Sequence, residues 1–177
     1  MRRPVGSLAV LALVAVVGCE VLSSDAENYA REQRAERARR LAGMKAATHE
    51  IPRGADAAGD GLARLVSGRT HVFRYGTSPA GRAERYVEWT YFRPDGRFVY
   101  RNTLWAVAAD GRDGDHWRVD GDRLCVLNQA LSSDEHCYRL AVQAEGRVQY
   151  YVAAPGDETD GLLTKVTDAV TEGPPNP

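Results

Sequence analysis

Three cysteines, four histidines and the adjacent Ser132 and Ser133 are the side chains of this 177-residue sequence to weigh first for nucleophilic, redox or metal chemistry. Their spacing argues against most of it. His71, His116 and His136 fall on three separate predicted strands, each beside an aromatic or cysteine position that reads as sheet surface. Ser132 and Ser133 stand at a predicted hairpin tip, with no Gly-x-Ser-x-Gly elbow and no identifiable base. The run from Asp110 through Asp113 and Asp115 to His116 invites a calcium reading, yet it lacks the spaced oxygens and closing Glu of a calcium loop and reads as a solvated turn. Cys125 and Cys137 are separated by eleven residues, which is not a C-x-x-C redox pair. No further soft ligand lies at zinc spacing beside them. The expectation is therefore a structural Cys125–Cys137 disulfide, with no catalytic residue, no metal and no cofactor: a non-enzymatic protein.

That disulfide needs an oxidising compartment, and the first twenty residues, MRRPVGSLAVLALVAVVGCE, point to one. Two arginines precede an apolar run from Val5 to Val17, and small residues follow, the order of a secretory signal. The run is too short for a spanning helix, which takes roughly 20 residues. Its end, Val16-Val17-Gly18-Cys19, resembles the bacterial lipobox. The resemblance implies a lipoprotein in which residues 1–18 are removed and Cys19 is diacylated on sulfur and acylated, typically with palmitate, on its new amino group. Glu20, where an Asp tends to hold such proteins at the inner membrane, leans toward the outer membrane. The expected location is the cell envelope, lipid-anchored and facing the periplasm.

From Cys19 onward the length suits one domain plus a connecting segment. Basic and acidic side chains nearly balance, 23 against 24, so no global field favours nucleic acid as a partner. Ser24 and Glu27 form a capping box, and Asp25 to Met44 contains no Pro and no β-branched residue, which predicts a helix there. Its apolar stripe is thin, as a solvated stalk between lipid and domain would have. Residues 49–61 hold Pro52, Gly54, Gly59 and Gly61 and read as a linker, completing a 19–61 segment of lipid site, stalk and linker; Ala57 to Val66 offers one short helical turn.

From Arg69 the apolar period changes to two. Seven segments rich in Val, Tyr, Phe, Trp and Thr lie between 69 and 153, separated by turns such as Pro94-Asp95-Gly96 and Asp120-Gly121, and Leu162 to Thr167 offers an eighth. This predicts a mainly β domain over 62–168, an antiparallel meander forming a small barrel or a sandwich. The end of the chain, 169–177, is expected to be disordered. Val87, Trp89 and Tyr91 share one face of a strand, with Glu88 and Thr90 on the other. On the next strand Phe98 and Tyr100 oppose Arg97, Val99 and Arg101. Most of these aromatics are expected in the core.

Trp117, Val119, Leu124 and Cys125 make a W-x-V-x-x-x-x-L-C block, followed by Cys137-Tyr138 and preceded by the Asp95-Gly96 turn. Over residues 62–153 the pattern resembles small exported bacterial domains of unknown function. The resemblance implies a lipocalin-like or similar small β-barrel and offers no catalytic residue to carry over. Function is then expected to be binding, of a small molecule in or at the mouth of the barrel; the alternative is an interaction or inhibitor module acting on an envelope protein. Trp105, in a loop-like insert, and the adjacent Tyr150 and Tyr151, of which only one is expected to point inward, are the candidate binding residues.

Overall fold

The computed structural model describes residues 9–74, 87–103, 109–110, 115–129 and 132–175, with the backbone alone for 9–24 and 109–110. The chain divides into two compact units, Met1–Arg39 and Arg40–Pro177.

The first unit is helical. Helix α1, Ala9–Glu50, is continuous through Ser24, so the capping box predicted there is not a helix start. The preceding residues are rich in Ala, Val and Leu, contain no Pro, and carry the helix straight through. From Asp25 to Arg40 every side chain is exposed, including Tyr29 at 64%, the one large apolar side chain so exposed among the described residues. Arg39 pairs with Glu36 at 2.8 Å on this surface. Such a helix, polar all round, takes its stability from propensity and i,i+3/i+4 pairs, not from a buried stripe. Among the described residues no helix is long and apolar enough to cross a membrane.

The second unit takes the last turns of α1, a short helix α2 (Gly59–Val66), and two antiparallel sheets. In chain order the strands are β1 (Ala55–Ala57), β2 (Arg69–Arg74), β3 (Val87–Phe92), β4 (Phe98–Asn102), β5 (Ala109–Asp110), β6 (His116–Asp120), β7 (Arg123–Leu127), β8 (His136–Val142), β9 (Val148–Val152), β10 (Leu163–Val166) and β11 (Ala169–Glu172). One sheet runs β10-β9-β8-β7-β6, with β1 beside the second half of β8; the other runs β11-β2-β3-β4-β5. Phe73, Phe92, Phe98 and Tyr100 of the five-stranded sheet meet Leu124, Leu140, Val148 and Tyr150 of the six-stranded one in a single buried cluster, to which α2 adds Leu62 and Val66. Cys125 and Cys137 stand directly opposite each other on β7 and β8 and are bonded, on the face opposite Leu124.

The β-rich prediction holds, but among the described residues the sheets do not close into the barrel that the resemblance implied. Their edges meet through isolated bonds, not a continuous ladder. The Trp117 amide donates to the Gly96 carbonyl (2.7 Å) and its indole to the Arg93 carbonyl (2.9 Å), tying β6 to the β3–β4 turn. At the opposite side only Thr167 and Asp168 separate β10 in one sheet from β11 in the other, and both make bonds there: Thr167 with Val148, Asp168 with Val72.

Two segments expected to be irregular are ordered. Residues 169–172 are β11, paired with β2, because Val170 reaches the core cluster and Thr70 fastens the following Gly173 carbonyl at 2.6 Å. Residues 51–57 are pinned to the six-stranded sheet: β1 pairs with β8, and the buried Gln149 side chain accepts from the Gly54 amide (2.7 Å) and donates to the Pro52 carbonyl (2.9 Å). Gly54 is required there, since a Cβ would lie 2.3 Å from the Val142 carbonyl oxygen. A polar, Gly- and Pro-containing sequence hid this order because the stabilising bonds come from the backbone and from one distant glutamine.

Candidate functional site

Tyr150 and Tyr151 cannot serve as contact residues, because both are buried, at 1% and 2% exposure. The expectation that only one of two neighbours on a strand turns inward assumed a sheet with one wet face. Here both faces are covered. Tyr150 enters the core between the sheets, while Tyr151 packs on the outer face beneath Ala47 and Ile51 at the end of α1, with Leu163 and Val166 beside it. The third candidate, Trp105, lies outside the described residues.

Among the described residues the space between the sheets is packed with buried side chains, and some of them are polar. His71, expected at the surface, is fully buried: Nε2 lies 3.1 Å from the Leu65 carbonyl, to which it donates, and Nδ1 lies 2.5 Å from the Tyr150 hydroxyl, which donates to it in the neutral ring that burial favours. Burial pushes its pKa down to about 4; the Leu65 carbonyl opposes this, and the charges of Lys165 and Arg69 add to it. The Tyr150 hydroxyl is pushed well up, first by burial and then by the neighbouring Tyr138 and Glu88. Beside them the Lys165 ammonium lies 3.7 Å from the buried Glu88 carboxylate and within 4.3 to 5.6 Å of the Phe73, Tyr150 and Tyr138 ring centres. Tyr100 donates to Glu88 and accepts from Asn102. A lysine enclosed by aromatic faces and a carboxylate is held as a structural cation. The remaining histidines are not brought together with it: His136 is exposed, and His116 lies 3.6 Å from Glu135, whose pKa Arg118 holds down with paired bonds of 3.0 and 2.7 Å. The one grouping with metal-ligand geometry among the described residues joins Glu135 to Cys125 and Cys137, whose sulfurs are bonded to each other.

The surface most capable of contact is the outer face of the five-stranded sheet, which the sequence reading placed wrongly. The period of two along β3 is correct, but its phase is inverted. Glu88, Thr90 and Phe92 are buried, while Val87, Trp89 and Tyr91 are only half-buried. Glu88 is tolerated inside by Lys165 and Tyr100. Cross-strand register then builds the outer face. Trp89 stands between Val72 and Arg101, and Tyr91 between Thr70 and Val99. The arginine alternation on β4 was the available signal: residues paired across an antiparallel ladder share a face, so an outward Arg101 and Val99 carry Trp89 and Tyr91 outward with them.

At one end of this face the β3–β4 hairpin turns through Pro94-Asp95-Gly96. The Arg93 amide donates to the Arg97 carbonyl (2.9 Å), and Gly96 takes the positive φ of 84° that this three-residue turn needs. Asp95 is bracketed by Arg93 at 2.9 Å and Arg97 at 3.0 Å, and its carboxyl is held below the usual range, chiefly by the Arg97 amide. Arg93, Pro94, Asp95 and Arg97, with Tyr91, Val99 and Arg101, line a groove of about 720 Å³ together with Pro174 and Pro175. In chemical terms it offers the guanidinium groups of Arg93 and Arg97 paired with the Asp95 carboxylate, that of Arg101, one aromatic ring and three proline rings. In comparisons with known proteins, no family model, no curated protein and no solved structure matches this chain.

Proposed function

We propose that this chain is a cell-envelope lipoprotein, anchored through Cys19, that acts by binding a protein partner through the outer face of its five-stranded sheet. One observation carries the choice of a surface over an internal ligand. The space between the sheets is occupied by fully buried side chains from both, while Trp89, Tyr91 and the arginines beside them stay half-exposed around an open groove. Among the described residues the packing of side chains between the sheets favours a surface partner over an enclosed small molecule, and Tyr and Arg are the side chains that most often anchor protein interfaces. The lipobox-like Val16-Val17-Gly18-Cys19 supports the anchor, and the bonded Cys125–Cys137 pair agrees with an oxidising compartment.

Replacing Tyr91 by the near-isosteric photoreactive p-azidophenylalanine tests the reading in cells. The expected result is a discrete adduct with an envelope protein from position 91 and none from Asp134 in the β7–β8 loop. Equal labelling from both positions, or no adduct, overturns it.

A further inference from the structure

We infer that the outer edge of β11 takes an extended segment of the protein partner as an added strand of its sheet; the inference rests on the binding reading above and names how the partner is held. β11 ends the order β11-β2-β3-β4-β5, so one of its two edges has no neighbouring strand. In an antiparallel ladder alternate residues bond the neighbour. The Gly173 amide donates to the Gly68 carbonyl (2.9 Å), which puts Thr171 and Ala169, opposite Thr70 and Val72, in the bonded phase. The N–H and C=O groups of Val170 and Glu172 therefore point away from β2, and among the described residues no group bonds them. The edge amides of Leu163 on β10 and Trp117 on β6, in contrast, are taken by the Thr48 hydroxyl and the Gly96 carbonyl. Two donors and two acceptors repeating over about 7 Å match the backbone of another strand, and neither a nucleic acid nor a glycan offers that repeat.

The surroundings of the edge suit alternate side chains. Beside Glu172 lies a groove of about 670 Å³ lined by Ala63 and Arg64 of α2, Ser67, Arg69 and Glu172 itself. A side chain opposite Glu172 on an added strand enters it. The next turns to the other face, beside Thr171, in the row that continues through Thr70 to Tyr91. Three strand spacings, about 14 Å, then separate the added strand from β3, so edge and outer face form one continuous surface. A second copy of this chain fits the edge poorly. Antiparallel self-pairing sets Glu172 against Val170, against Glu172 of the other copy or against Asp168, according to register, and each choice opposes a carboxylate to an apolar or an acidic side chain. Gly173, at a φ of 77°, and Pro174, which has no N–H, end the edge, so the segment it takes is short.

Fluorescence polarisation with the full chain in detergent tests this, using fluorescein-labelled Lys-Thr-Val-Thr-Val-Thr-Lys as a generic strand and its fully N-methylated form, which has lost its backbone donors. The expected result is binding of the first about tenfold tighter than of the second, and weakened about tenfold by Val170→Pro. That substitution removes an outward N–H and leaves the bonds of Ala169 and Thr171 to β2 in place, so the melting temperature is expected to stay near that of the parent. Should the variant fail to fold, Glu172→Pro serves in its place at the end of the strand. In cells, the same substitution is expected to weaken the adduct from position 91. Equal binding of the two peptides, or equal binding by parent and variant, overturns the inference. So does a dimer in light scattering that Val170→Pro dissolves, which assigns the edge to a second copy. An adduct from position 91 that Val170→Pro leaves unchanged removes this inference and leaves the binding reading standing; the absence of both adduct and peptide binding removes both.

Discussion

His71 shows how a side chain that looks reactive becomes structural. Both ring nitrogens are committed, to Leu65 and Tyr150, and the ring is neutral when folded. With a folded pKa of about 4 against 6.5 in the unfolded chain, the unfolded state binds more protons between those values. The resulting stability is fully present above pH 6.5 and is lost as pH falls through 4, amounting to about 3 kcal/mol. Urea titrations of the wild type and of His71→Phe between pH 4 and 7 check this: the variant is expected to be less stable at pH 7, because two polar partners are orphaned, and to lose most of the slope. A second prediction concerns Glu88 and Lys165. Lys165→Met leaves a buried carboxylate without its cation and is expected to destabilise by about 3 kcal/mol, whereas Glu88→Gln/Lys165→Met recovers part of that loss. A double-mutant cycle in urea measures the difference. Neither role was legible from residue type, since a histidine two positions from Phe73 and a glutamate between Val87 and Trp89 read equally well as surface.

At the scale of elements, turn chemistry made the strands visible. Pro94-Asp95-Gly96 and Asp120-Gly121 stand between strands as predicted, and Cys125 and Cys137 meet as cross-strand neighbours. What failed was the phase of β3, because burial there is decided by partners on β10 and β4 that no local pattern contains. The two ordered segments failed for the same reason, since β1 and β11 are held by β8 and β2. The disulfide sets a third prediction. Cys125→Ala/Cys137→Ala is expected to lower stability by about 3 kcal/mol, read as a drop of several degrees in melting temperature. At the hairpin, Gly96→Ala forces a side chain into positive φ and is expected to cost about 1 kcal/mol, with a loss of groove binding larger than that of stability, because the turn sets the Arg93 and Arg97 forks.

At the scale of the whole molecule, the order of helix and then β domain is legible in the sequence, but the start of the folded unit is placed too late. The compact unit begins at Arg40, because Met44 and Ala47 are buried and Thr48 accepts the Leu163 amide at 2.7 Å. A near-zero apolar asymmetry over the whole of α1 concealed that contact. Removing everything before Arg40 is therefore expected to leave the melting temperature within a few degrees of the parent, whereas starting at Pro52 exposes Tyr151 and Leu163 and lowers it markedly; thermal denaturation of the two truncations decides. For the proposed anchor, Cys19→Ser is expected to release the chain from membranes, and intact mass of the wild type is expected to show acylation at residue 19.

The two-residue step from β10 to β11 also has a mechanical meaning. Tension arriving through the end of α1 enters the six-stranded sheet at Leu163, whereas a partner held in the groove pulls on the other sheet, so the load crosses at Thr167-Asp168 and at the Trp117–Gly96 bond. Thr167 and Asp168 join two ladders, β10 on β9 and β11 on β2, in each of which several bonds resist together. The Trp117–Gly96 bond stands almost alone and is expected to yield first. Under an optical trap, a chain gripped at Arg40 and at position 97 is therefore expected to open in two steps, the first of which softens when Trp117 is replaced by Phe, which keeps the amide bond to Gly96 but removes the indole bond to Arg93.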